Sequence, residues 1–475
     1  MKKRTALTLT ALLLTGTTTA APGVWKGTIT MYAQHYTPNQ KDAKRPLRAF
    51  QTIADEYQRL HPGITIQFVT EDVPDTNAAI RAKAAAGELW DVYWAQYSSL
   101  NGALPKGVAT DLTPYLAQPN PYIPGNKVWR DAMNKQALAE TRAPGGANYQ
   151  LNGDYVAFTF FYNQDLFKKA GITKAPSSWA ELLDASKKLK AAGIGVMSAV
   201  PSFPWWERHF LSDFYAKDYA KLTTYDGEPG QSPLDEAIAI QKGLLSPKDP
   251  RFMAWWPVFK QFTNYWNKDY LTQNPDKNFD AFQDFVAGKT ALIYEGSYKP
   301  GEMRDAGVKF GIGAFNFPVL DRTVSPYASG TNTANAVGGL GAAFQYAMST
   351  PQANKSLTSA KQQAVVDWMR FFGTPKNLQS VVSEDGSFVP TWPGTHAVLD
   401  FNAKALDSQI QLPRRSLGVG NAAPNLGWGD MQRILGLYLS DNLTLDQATT
   451  QAQAVLDRAA KDYATKNKVD YSKYK

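Results

Sequence analysis

The residue types that could do chemistry in this chain are aromatic rings and carboxylates rather than thiols or imidazole clusters. Thirteen Trp and 23 Tyr stand beside four His and no Cys. Without Cys there is no disulfide, thiolate metal site or thiol nucleophile. His35, His61, His209 and His396 are too scattered for any close metal-ligand spacing, and no nucleotide motif is visible, so no metal and no organic cofactor is expected. The carboxylates Asp91, Glu207 and Glu295 could serve acid–base work, as a glycosidase requires of two acids across one bond, but spacing does not make any two converge. Gly338-Gly339-Leu340-Gly341 is too weak for a phosphate loop. Aromatic rings remain, useful in cores and in binding sites alike. Gln34, His35 and Tyr36 follow the first strand, at the end where α/β sheets place ligands.

The elements that must position these residues alternate. Thr28–Tyr32 reads as a strand. Leu47, Phe50, Ile53, Ala54, Tyr57 and Leu60 recur at helical spacing up to His61-Pro62-Gly63, and Ile64–Val69 alternates as a second strand. A helix over 76–86 ends at Gly87 before a short strand, Asp91–Trp94. This βαβ rhythm predicts a largely parallel sheet. Tyr155–Tyr162 is one apolar run, read as a buried strand. Ser178–Glu181 has a capping-box pattern ahead of the apolar stripe Trp179, Leu182, Leu183 and Leu189. Pro201–Trp206 reads as a loop, and the last hundred residues as largely helical, with Thr444 and Gln447 capping one helix. At 475 residues, two domains are expected.

Lys2-Lys3-Arg4, a short apolar stretch and Thr18-Thr19-Ala20 have the layout of a secretory signal peptide over residues 1–20, and cleavage lowers the formal net charge from +8 to +5. That surplus forms no run of the kind nucleic acid requires. The expectation is a periplasmic or extracytoplasmic protein, soluble after cleavage and not lipid-anchored through Cys.

Phe161-Tyr162-Asn163-Gln164-Asp165-Leu166-Phe167 through Ala170-Gly171, followed by Pro176-Ser177-Ser178-Trp179-Ala180-Glu181-Leu182, resembles a segment of the extracellular solute-binding protein family 1, the group containing maltose-type sugar-binding proteins. Phe50–Gly63, Ala85-Ala86-Gly87 with Asp91-Val92, Phe285–Ala291, Val337-Gly338-Gly339 and Gly386–Pro390 support it in order. The resemblance implies a two-lobe α/β periplasmic-binding-protein fold of type II, with an interlobe ligand cleft and a helical C-terminal region. Lobe one is expected to hold 21–154 plus 326–372, and lobe two 155–325 plus 373–475. It implies no catalysis: a monomer captures a carbohydrate and hands it to the permease subunits of an ABC transporter. A polyol or glycerol-phosphate ester is the alternative ligand, and a secreted carbohydrate-active enzyme the rival class. Carried over from the maltose-type proteins, Trp94, Trp205 (or its neighbour Trp206), Tyr298 and Trp428 would cover sugar faces. His35, Tyr36, Gln96 and Glu207 would satisfy hydroxyls. The family's carboxylate in the first crossover is replaced by apolar residues around Val156 and Phe158, which speaks against maltose itself.

Overall fold

The computed structural model describes residues 25–474 except 41–44, 144, 157, 199–202, 228–230, 268–278, 332–341, 397, 399–416 and 420–423; the side chains of 102–103, 140, 203–205, 279–280 and 424–428 also lie outside the description. Two sheets organise it. The first has strand order β2-β1-β3-β10-β4. In it β1 (Gly27–Tyr32) runs parallel to β2 (Ile64–Phe68) and β3 (Val92–Trp94). The late strand β10 (Gln345–Met348) lies antiparallel between β3 and β4 (Gln150–Asn152). In β2 the alternation of buried Ile64 and Ile66 with exposed Thr65 and Gln67 is the period of a half-buried strand. The helix Ala49–Leu60 between β1 and β2 buries Phe50, Ile53, Ala54 and Tyr57, the stripe read from the sequence.

The second sheet has the order β7-β8-β6-β9. Strands β6 (Phe158–Asn163), β7 (Gly195–Met197), β8 (Thr290–Gly296) and β9 (Ile312–Phe315) are consecutive in the chain. Strand β8 is buried along its whole length, which its run of apolar residues reflects. The helix Trp179–Ala191 is capped by Ser178, which accepts from Glu181 N. Glu181 itself bonds Ser177 rather than closing the capping box. Thr444 and Gln447 do close theirs, ahead of the helix Leu445–Asn467.

Between the sheets the chain passes through β5 (Asp154–Tyr155), paired antiparallel with β11 (Val389–Pro390). The run Tyr155–Tyr162 is therefore two strands, broken where the chain changes sheet. At Gly153 a Cβ would come within 2.4 Å of Leu378 and 2.6 Å of Phe344, so glycine allows this close approach of Phe344 and the helix Pro375–Asp385 to the crossing.

The two later lobe boundaries differ from expectation. A return at 326 is too early: Phe317 stacks on His209 in lobe two, and Ser329 still bonds Asp213 there. Ala342, by contrast, accepts from Trp94 and donates to Asp154 in lobe one. A third crossing at 373 is also too early. Glu384, on the helix Pro375–Asp385, accepts from Arg48 N and Ala49 N at the start of a lobe-one helix. Trp392 donates to Asn152 O, and His396 bonds Gln379. The chain is back in lobe two at Leu417, whose N–H donates to Ser212. The crossing between His396 and Leu417 lies outside the described residues. Pro201–Trp206 differs as well: from Phe203 it is the first turn of the helix Phe203–Phe214.

Candidate functional site

The cleft follows from where the strands end. Beyond β1, Gln34 takes φ 51°, a left-handed conformation rare for a residue with a side chain and often found at binding sites. It turns Gln34 and His35 into a cavity of about 410 Å³. Lobe one adds Arg45 and, just past the end of β2, Glu71 and Asp72; the segment after β8 adds Arg304 and Asp305. Asp385 closes it at the end of its helix.

Charge in the cleft is mixed, with four carboxylates against two guanidinium groups. His35 Nε2 lies 3.0 Å from Asp385 Oδ1. Burial alone would raise the Asp385 carboxyl, but hydrogen bonds from His35 and Ser387 outweigh it and hold the group below its usual range. Arg304 bonds Asp305, and Arg45 donates to Glu384 O at 2.9 Å. Glu71 and Asp72 are exposed, with no hydrogen bond or ion pair among the described residues. They are acceptors free to meet ligand hydroxyls.

A row of rings leads away from the cavity, which only its first member, His35, lines. His35 meets Phe388 edge-on at 4.8 Å, and Phe388 stacks with Tyr298 at 6.2 Å. Tyr298 is half-buried, and its hydroxyl donates to Glu295 Oε2 at 3.3 Å. Burial raises the Glu295 carboxyl, an effect the Lys299 charge opposes. The row thus joins a lobe-one loop, the segment leading into β11 and a lobe-two turn.

The other expected residues fare differently. Tyr36 is fully buried, and its hydroxyl donates to Asp154 Oδ2 at 2.7 Å, so it ties the hinge strand to lobe one rather than facing a ligand. Trp94 is half-buried, donating to Ala342 O at 3.3 Å; Gln96 is exposed beyond it, and neither lines the cavity. Trp206 is 1 % exposed, its ring 4.5 Å from Tyr294 and 4.6 Å from Phe259. It is a core residue of lobe two, against expectation, because helical geometry turns it inward with Phe210. Glu207 is buried with it and accepts from Val419 N at 3.0 Å. Burial pushes its carboxyl well up, opposed by the Arg208 charge. It is remote from the cavity lining. The side chains of Trp205 and Trp428 lie outside the described residues, as does Val337-Gly338-Gly339.

Asp91 is buried in lobe one, 2.9 Å from Lys361 Nζ and bonded to Thr30 and Asn354. Among the described residues no cluster of His, Asp or Glu could hold a metal ion, and no helix is long and apolar enough to cross a membrane.

Arg45, Glu71, Asp72, Arg304, Asp305 and Asp385 were missed by sequence reasoning. A signal existed for two of them: Glu71 and Asp72 follow β2 just as Gln34 follows β1, and the strand-end rule applies to both. Nothing local marks the other four.

The model of the bacterial extracellular solute-binding protein family matches residues 42–378. The sn-glycerol-3-phosphate-binding periplasmic protein UgpB of Brucella abortus (strain 2308) is 23% identical over 232 residues, 48% of this chain and 46% of its own. The chain spans about half the length of the curated relatives it matches. A family 1 extracellular solute-binding protein from Bifidobacterium longum subsp. infantis superposes with a TM-score of 0.60 at 16% identity, covering 91% of this chain and 99% of that one. The GacH receptor of Streptomyces glaucescens, studied unliganded and with acarbose, gives 0.60 at 16% identity, covering 92% and 100%. At these identities the likeness shows the two-lobe fold.

Proposed function

The chain belongs to the bacterial extracellular solute-binding protein family, and we propose that it captures a carbohydrate between its lobes and delivers it, unchanged, to the permease of an ABC importer. The carrying observation is the interlobe cavity: exposed, uncommitted carboxylates in its lining with Tyr32 and His35, and a row of rings that leads from His35 to Tyr298. Rings suit the weakly polar faces of a sugar, and acceptors suit its rim of hydroxyls. Lobe one comprises residues up to 155 plus 342–396 in this reading, and lobe two the remainder. Ligand contacts on both would hold them closed. His35 and Tyr298 are the site residues we favour from the sequence, with Glu71, Asp72 and Arg304 added. Trp428 and Trp94 remain candidates for a longer ligand. The acarbose complex of the GacH receptor is consistent with this ligand class.

A second reading is favoured by one observation: two guanidinium groups, Arg45 and Arg304, line the cleft, and curated relatives bind sn-glycerol 3-phosphate. Four carboxylates in the same space oppose a phosphate dianion, so a neutral sugar is preferred. A thermal-shift screen of mono- and oligosaccharides against glycerol 3-phosphate decides, because a ligand that binds only the folded state must raise Tm. A response to glycerol 3-phosphate alone would overturn the carbohydrate reading. Unaltered ligand recovered from the complex is the expected result for a carrier; a cleaved glycoside would mark an enzyme.

Tyr298→Ala is expected to weaken the binding of a responding sugar about thirtyfold, or on the order of 2 kcal/mol for a packed aromatic anchor. Unchanged affinity by calorimetry would remove Tyr298 from the site. For localisation we favour an exported, soluble protein cleaved near Ala20. Intact mass of the secreted material tests this, and an acyl adduct would refute it.

A further inference from the structure

A second hollow, of about 260 Å³, lies on lobe one and shares no lining residue with the cleft. Three basic side chains reach it from separate segments: Arg130 from the turn Trp129–Ala132, Lys135 from the start of the helix Lys135–Glu140, and Arg142 from the loop beyond. Asp131 is the one acidic residue in its lining. The lining therefore sets three cationic side chains against one carboxylate, an excess that favours an anion.

Its base carries the more telling feature. Asn148 is 8% exposed, and its backbone is fixed on both sides: its N–H donates to Thr113 Oγ1 at 3.0 Å, and its carbonyl accepts from Leu112 N at 2.8 Å. Its side chain makes no hydrogen bond among the described residues, and Oδ1 is buried without a partner. Such a group is costly to bury, and native proteins keep few of them. The Thr113 hydroxyl, which accepts from Asn148 N, still has its own proton to give.

We propose that this hollow binds a small oxyanion that also carries a hydroxyl, with the chemistry of hydrogen phosphate or a phosphate monoester. The anionic oxygens face Arg130, Lys135 and Arg142 and accept from Thr113. The ligand's O–H supplies the donor that the Asn148 carboxamide oxygen lacks. Arg142 has a contact of its own in the protein, but a guanidinium has five N–H donors and can serve both.

The test titrates the mature protein with inorganic phosphate by calorimetry, at ionic strength held constant with chloride. Saturable binding is expected, weakened about tenfold by Lys135→Gln or Arg142→Gln, as loss of one charge-assisted hydrogen bond implies. Asn148→Leu should weaken phosphate binding severalfold while leaving Tm without phosphate unchanged or higher, since it replaces an unsatisfied carboxamide by an apolar group. The cleft variants Arg45→Gln and Arg304→Gln should bind phosphate as the wild type does. No saturable heat against chloride overturns the proposal. So does loss of binding in the cleft variants with retention in the Lys135 and Arg142 variants. Sedimentation with phosphatidylglycerol vesicles assigns the source. Phosphate binding without vesicle binding supports a soluble ligand, and vesicle binding displaced by phosphate supports a lipid headgroup at the same site.

Discussion

Trp206→Ala is expected to lower the unfolding free energy by about 3–5 kcal/mol, the usual cost of emptying a packed tryptophan site. The ring is fully buried and packs on Tyr294, Phe259, Phe160 and Trp266, from two strands of lobe two, the helix Trp255–Thr263 and the turn that follows it. Partial collapse around it is hindered, because Phe160 also stacks on Phe315 at 4.9 Å and is held in its own position. Denaturant unfolding followed by far-ultraviolet circular dichroism measures the loss. Affinity of the remaining folded protein for its sugar should stay within about twofold of wild type, since surface and core terms separate when residues share no partner. A variant of wild-type stability with much weaker binding would return Trp206 to the cleft.

The second large effect belongs to Asp154, on the crossing strand β5. Its carboxylate is fully buried and accepts from the Tyr36 hydroxyl and from the N–H groups of Ala342, Ala343 and Phe344. Asp154→Ala strands these donors in the hinge, at a cost on the order of 3 kcal/mol. Burial pushes the Asp154 pKa from 3.8 up to about 6, against the pull of those hydrogen bonds. A carboxyl with a raised folded pKa holds its proton more tightly when folded. Its contribution to stability is therefore full below about pH 4 and is lost as pH rises through 6. Two pKa units correspond to about 3 kcal/mol. Asp235, also pushed up to about 6 by burial, acts in the same window. Stability measured from pH 4 to 7 should therefore carry a downward component that Asp154→Asn reduces. An unchanged slope in that variant would show that Asp154 does not titrate there.

These two residues also show what the sequence could and could not carry. The strand β2 and the helix Ala49–Leu60 were legible because each repeats one side-chain period over its length. Trp206 was misread through its neighbours. Prolines at 201 and 204 suggested a loop, whereas the spacing of Trp206, Phe210 and Phe214 is that of a buried helix face. A proline near a helix start is compatible with helix and does not break it. Asp154 stands one residue before an apolar run and gives no hint of burial, since its partners come from residues 36 and 342–344. The cleft was legible only where it coincides with strand ends. His35 belongs to that class, whereas Asp385 and Arg304 are brought in by helices whose local sequence is silent about what lies opposite. Lobe boundaries failed for the same reason: Phe317 and Glu384 reveal their lobe through contacts far away in the chain.

Strand β10 sets the order in which the molecule can acquire its structure. Every strand of the second sheet is contained in residues 158–315, so that sheet can form from one continuous stretch of chain. The first sheet cannot. Its strands β3 and β4 do not pair with each other, and the strand that joins them, Gln345–Met348, arrives about two hundred residues after β4. A chain emerging from its N-terminus thus completes its second lobe's sheet before its first, and the half made earliest waits longest with an open edge. Pulse-labelled hydrogen exchange during refolding should accordingly protect β6 and β8 before β3 and β4.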